Sequence, residues 1–160
     1  MNAPMNAPVH SPQTLDHTGI AARVPHAGTM CLLDRLLGWD EHVIDCRAAG
    51  HRDAVHPLRD AGTLPAPVAI EYASQAMALH GTLSAPPGSA PRPGMLASVR
   101  GVRLHVPRLD DVAGELHVRC ERLAGDERQA MYAFSVAAAD DGRVLVDGRA
   151  TVVLDAVGAR

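Results

Sequence analysis

The chain contains no lysine; all 15 of its basic residues are arginine. That absence removes the P-loop lysine, the Schiff-base lysine and the catalytic Ser-Lys pair from the chemistry available. Aromatic residues are almost as scarce, 2% of 160, as Trp39, Tyr72, Tyr132 and Phe134. So few rings offer no base-stacking platform, and a formal net charge of −3 offers no broad phosphate-binding surface. Nucleic acid is therefore not an expected partner. The three cysteines, Cys31, Cys46 and Cys120, have neither the even count of a disulfide framework nor the spacing of metal ligands. They read as reduced core thiols of a cytoplasmic protein, with no metal site expected. No apolar run reaches the roughly 18 residues that a membrane-spanning helix needs. Residues 1–13 lack the basic and apolar regions of a signal peptide, and their repeated Met-Asn-Ala-Pro units suggest a disordered lead-in over 1–17.

What is present is a core-forming composition. Apolar residues make up 47% of the chain, and 27 of its residues are alanine. Length and composition together fit one domain, over 18–156. Residues 20–37 open a compact unit through an Arg-Val-Pro-His turn and an apolar run at 30–33. The stretch 39–49 alternates as a first strand should, and a polar loop follows over 51–63. Pro67 suits the first turn of a helix, where its missing N–H is no loss. From 68 to 83 nearly every position is apolar or small, the signature of a buried helix. Its polar exceptions are Glu71, Ser74, Gln75 and His80; the first three share one face.

Beyond the Pro/Gly-rich loop at 84–94 the period changes from helical to two. Strands are expected over 95–106 and from Leu116, Ala130 and Val144, with hairpin turns at Ala124-Gly125-Asp126 and Asp140-Asp141-Gly142. The order strand, buried helix, four strands in an antiparallel meander is α+β. It is the hot-dog arrangement, an antiparallel sheet of five to six strands wrapped around one long central helix.

Specific residues carry a family resemblance. The segment Val24-Pro25-His26-Ala27-Gly28-Thr29-Met30-Cys31-Leu32-Leu33-Asp34-Arg35 resembles the opening of the FabZ-type 3-hydroxyacyl-[acyl carrier protein] dehydratases. Leu64-Pro65-Ala66, with Glu71 six residues after the proline and then Gln75, is similar to that family's entry to its central helix. Val102-Arg103-Leu104-His105-Val106-Pro107 resembles its strand leading into a proline turn. His-Pro-Leu and Ile-Glu-Tyr-x-x-Gln-Ala look closest to the dehydratase-like subunits of aryl polyene biosynthesis. The resemblance implies dehydration of 3-hydroxyacyl thioesters to trans-2-enoyl thioesters, in fatty acid or polyene assembly. Removing an α-proton and protonating a departing hydroxyl requires a base near neutrality and a carboxyl. The resemblance assigns these to a loop His and to Glu71, facing one another across a dimer, with the Ala66 amide beside the thioester carbonyl.

The family places its His eight residues before the helix proline. Here that position is Pro57, and His56 lies nine before Pro65, so a loop longer by one residue would bring His56 into place. His51 is the fallback base and otherwise a solvated loop residue. A degenerate loop is the alternative, leaving a non-catalytic or weakly catalytic subunit that pairs with an active one; an acyl thioesterase is the third reading. Gln75 reads as a hydrogen-bonder positioning the loop, His26 as a shaper of the N-terminal turn, and Gly62 as a turn residue beside the pocket. Arg100, Arg103 and Arg108 lie along one strand and its turn, suited either to an acidic carrier protein and its phosphopantetheine arm or simply to a charged strand edge. The partners expected are that carrier protein and a second hot-dog chain, as homodimer or heterodimer, and the protein itself needs no cofactor.

Overall fold

The computed structural model describes residues 13–26, 28–88 and 94–154. Its elements are α1 (His17–Ala21), β1 (Arg35–Trp39), β2 (Val43–Ala48), α2 (Ala69–Ser84), β3 (Gly94–Leu104), β4 (Leu116–Gly125), β5 (Gln129–Ala138) and β6 (Val144–Leu154). The six strands form one antiparallel sheet in the order β1-β2-β4-β5-β6-β3, curled around α2. This is the hot-dog fold.

Three local expectations are corrected. The single first strand over 39–49 is a hairpin: Asp40 accepts hydrogen bonds from the His42 and Val43 N–H groups through Oδ1 and turns the chain between β1 and β2. β3 is not part of a consecutive meander; it crosses to the far edge and pairs with β6, so only β4, β5 and β6 follow in sequence order. The last strand, expected from Val144 with its even-numbered residues inward, buries Val146 and Ala150 as expected and departs only at its start. A bulge between Val136 and Ala137 moves the register, leaving Val144 exposed and burying Leu145. Of the lead-in over 1–17, residues 1–12 lie outside the described residues. The rest is structured, with Leu15 bridging to Leu36 and Asp16 capping α1.

The helix buries what its pattern demanded. Ala69, Ala73, Ala76, Tyr72, Met77 and Leu79 are all buried beneath the sheet. Small side chains at three of these positions let α2 lie close to β2, β4 and β5. Facing them, Leu116, Val118 and Cys120 of β4 and Ala130, Tyr132, Phe134 and Val136 of β5 alternate inward. Cys31, Cys46 and Cys120 are free and buried, and burial beside Asp45 pushes the Cys46 thiol up to about 12. His80 is fixed in this core, accepting from the Tyr132 hydroxyl at 2.8 Å and donating to Asp40 O at 2.8 Å.

The loop between β2 and α2 ends in a tight reversal. Asp60 and Thr63 pair across Ala61 and Gly62, whose φ values are 49° and 79°. Two consecutive positive φ values make a type I′ turn, which suits Gly62 and strains Ala61. No heavy atom lies within 4 Å of a Cβ built on Gly62, so a substitution there meets only the backbone penalty. Gly62→Ala is expected to cost about 1 kcal/mol and Ala61→Gly to cost nothing or stabilise. Urea midpoints of the two variants check this, and equal losses in both would contradict it.

Candidate active site

The site is built on the first turns of α2, where the sequence places a carboxylate in an apolar helix. Glu71 is one third exposed. Its Oε1 accepts from Gln75 Nε2 one turn later at 3.2 Å and lies 2.9 Å from His26 Nε2. Gln75 is itself fully buried; Nε2 also donates to Met30 O at 2.7 Å, and Oε1 accepts from the Leu32 N–H at 2.8 Å. One amide thus joins the helix, the carboxylate and the N-terminal segment. The contact of His26 with Glu71 was not foreseen, since residues so far apart in the chain leave no spacing signal.

His56 occupies a different environment. It is 8% exposed. Its Nδ1 accepts from the Leu58 N–H at 3.1 Å, so in the neutral ring the proton sits on Nε2, which donates to the Tyr72 hydroxyl at 3.0 Å. Burial depresses its pKa, helped by the nearby Arg59 guanidinium and opposed by Asp53. Within one chain, His56 and Glu71 are held by separate partners. His51, expected to be solvated, is fully buried; Nε2 donates to Val112 O at 2.8 Å, and burial depresses this ring as well.

The helix entrance is stitched to the segment after β3. The Leu64 N–H donates to Asp110 Oδ1, the Leu109 N–H to Leu64 O, and the Ala66 N–H to Pro107 O at 3.1 Å. The Ala66 amide expected beside a thioester carbonyl is therefore engaged within the chain. Arg108 belongs to the same stitching. It donates to Asp110 and, with the Leu64 N–H, holds that carboxyl far below the usual carboxylate range, which ties Arg108 into the structure of the helix entrance. Gly62 lies in the exposed turn described above, not against Glu71 or His56 through any side chain.

Arg100 and Arg103 sit on the outer face of the sheet, opposite α2. Arg103 Nε donates to Asp147 Oδ1 at 2.9 Å, while Arg100 stands directly across from Arg149 of β6. With Ala133 and Phe134 they line a groove of about 540 Å³ where β3 bulges. Like charges paired across strands are unfavourable unless an anion lies between them. Among the described residues no group of three His, Cys, Asp or Glu side chains gathers as a metal site, and no helix is long and apolar enough to cross a membrane.

A model of the ApeP-like family, described as ApeP dehydratase, matches residues 18–156. Among solved structures, the dehydratase heterocomplex ApeI:P from Xenorhabdus doucetiae is 27% identical with a TM-score of 0.75, over 84% of this chain and 90% of that one. A thioesterase from Haemophilus influenzae superposes with a TM-score of 0.64 at 12% identity, covering 89% of this chain and 92% of its own. The PaaI protein of the E. coli phenylacetic acid degradation operon gives 0.54 at 13%, over 74% and 80%. These last two share the fold alone. Among curated proteins, none matches.

Two expectations follow from this geometry. Gln75→Leu leaves the Leu32 N–H and the Met30 carbonyl unpaired in the interior, an expected loss of about 2–4 kcal/mol; a urea midpoint within error of the parent protein would contradict it. Burial depresses His51, His56 and His80. Above an unfolded-state pKa of about 6.5 these rings are neutral in both states and add no pH dependence. As pH falls below it, the unfolded chain binds protons that the folded chain refuses, and stability is lost toward the lower folded values. Melting temperature is expected to fall between pH 7 and pH 5, less steeply in His80→Gln; a flat profile would be the contrary result.

Proposed function

The chain belongs to the ApeP-like dehydratase family, and from that premise we propose that it serves in dehydrating 3-hydroxyacyl thioesters on an acyl carrier protein, as one subunit of a hot-dog pair. The observation that carries the reading is Glu71. A carboxylate on an otherwise apolar helix, partly open to solvent and held through one oxygen by two neighbours, is arranged for proton transfer rather than for surface charge. In the reaction a base takes the α-proton, its electron pair forms the Cα=Cβ bond, and the hydroxyl leaves as water with a proton from the carboxyl. The products are water and a trans-2-enoyl thioester, still attached to its carrier. No step requires a cofactor beyond the carrier's own phosphopantetheine.

The partner chain is supported from two sides. β3 is an eleven-residue edge strand whose outer edge is unpaired, and its Met95 and Leu104 are 52% and 50% exposed. Such an edge invites strand pairing. The solved neighbour ApeI:P is itself a heterocomplex. Val55, beside His56, is 80% exposed, so the loop carries an apolar side chain that a second chain could cover. The outer-face groove at Arg100, Arg103 and Arg149 supports docking of an acidic carrier protein. Buried reduced thiols favour the cytoplasm, and the family favours polyene or fatty acid assembly.

A second reading is favoured by His56. Both of its ring nitrogens are engaged in its own chain, so this subunit would offer Glu71 and the partner would supply the reacting imidazole. The pairing experiment separates the two. Full-length protein, alone and mixed with a second hot-dog dehydratase chain, is given a 3-hydroxyacyl carrier protein, and loss of water is followed by mass spectrometry. Glu71→Gln is expected to lower turnover by roughly 100-fold or more in whichever assembly is active. His56→Ala should match that loss if His56 reacts, and leave turnover in the mixture largely intact if the partner supplies the base. Wild-type turnover by Glu71→Gln would overturn both readings.

A further inference from the structure

We propose that His26 is the positioning residue for Glu71, holding one carboxylate oxygen so that the other is presented to the substrate. The inference rests on the reading of Glu71 as the reacting carboxyl and adds a residue to it. Oε1 of Glu71 accepts a hydrogen bond from Gln75 Nε2 at 3.2 Å, and His26 Nε2 lies 2.9 Å from the same oxygen as its ion-pair partner. Oε2 has no hydrogen-bond partner among the described residues. Two contacts on one oxygen stop the carboxylate from rotating and single out Oε2 as the oxygen free to meet a ligand.

The imidazole is anchored on both flanks. Three residues before it, Arg23 O accepts from Thr82 Oγ1 near the end of α2 at 3.1 Å. Four residues after it, Met30 O accepts from Gln75. Pro25 fixes the backbone immediately before the ring. His26 is thus strapped across α2 by bonds at either end of its segment, and its 24% side-chain exposure places it at the rim rather than in the core.

Its partner distinguishes it from the buried histidines of the fold. His80 satisfies both nitrogens within the core, and so does His56. His26, like His51, leaves Nδ1 buried and without a partner among the described residues. What sets His26 apart is the group it meets: its Nε2 lies against the Glu71 carboxylate, whereas His51, His56 and His80 bond to backbone groups and tyrosine hydroxyls.

The test uses the full chain in the active assembly, with His26→Ala, His26→Gln and Glu71→Gln. Loss of positioning should lower kcat by about 10- to 100-fold in His26→Ala, with KM changed less than about twofold. His26→Gln, which keeps an N–H donor, should recover most of the loss. Unchanged kcat in His26→Ala, or a change confined to KM, would overturn the proposal. A second readout is independent of activity. The ring nitrogens of His26, followed by long-range proton–nitrogen NMR, should change in Glu71→Gln while those of His80 stay fixed. An unchanged His26 spectrum overturns the proposal whether or not the protein dehydrates. A changed spectrum in an inactive assembly would uphold the contact and reject the dehydratase reading instead.

Discussion

The side-chain amide of Gln75 is the constraint on which the site depends. It is fully buried, and an amide without partners in an apolar interior is costly, so its three bonds dictate where its neighbours lie. Two of them, to Met30 O and from the Leu32 N–H, pin an irregular N-terminal segment against the central helix. The third reaches Glu71. The segment that the amide secures is the one that carries His26, so the same group that holds the carboxylate also brings up its second neighbour. Removing the amide would loosen the helix face and the strap together, which is why the polar stripe of α2 is not an ornament on a hydrophobic rod.

The rest of the fold follows from how little volume α2 occupies. Ala69, Ala73 and Ala76 keep the helix thin where it meets the sheet, and the few large rings, Tyr72, Tyr132 and Phe134, fill the space around it. Each buried hydroxyl then needs a partner, and histidines supply them: His56 for Tyr72 and His80 for Tyr132. The aromatic scarcity of the composition therefore has a structural counterpart, because two of the chain's four aromatic residues are tied into neutral His–Tyr pairs. Lysine-free chemistry fits the same picture, with arginine confined to the rim and the outer face of the sheet.

Periodicity made most of the architecture legible. The apolar run at 68–83 became α2, and the period-two stretches became β4, β5 and β6. What failed had causes that periodicity does not carry. Asp40 turns the chain by accepting two backbone N–H groups, a side-chain act that the smooth alternation of 39–49 conceals. The edge position of β3 is a long-range choice, since its own residues do not say whether it pairs with β4 or β6. In the site, the spacing was readable because Glu71 and Gln75 lie on α2 and Pro65 stands just before its entrance. The Glu71–Gln75 bond is the i, i+4 contact that the shared face required. His51 was misread as solvated because its burial depends on Val112, far along the chain. Arg108, left open between docking and a charged edge, is held by Asp110 only two positions away, a pairing that strand periodicity does not reveal.

His56 and His26 divide what a family resemblance would assign to one histidine. His56 lies in the loop where an acid–base imidazole is expected, yet Leu58 and Tyr72 engage both its nitrogens, and burial keeps the ring neutral. To react, it must surrender the Tyr72 hydroxyl and leave that oxygen unpaired beneath the helix, a cost of about 1–3 kcal/mol set against any catalytic gain. His26, outside that loop, is the imidazole that meets Glu71 in this chain, through Nε2, while its Nδ1 is buried. Neither histidine therefore has a nitrogen that is both unengaged and open to solvent. The proposed dehydration would then draw its second group from a partner chain, for which the edge strand β3 offers a pairing surface.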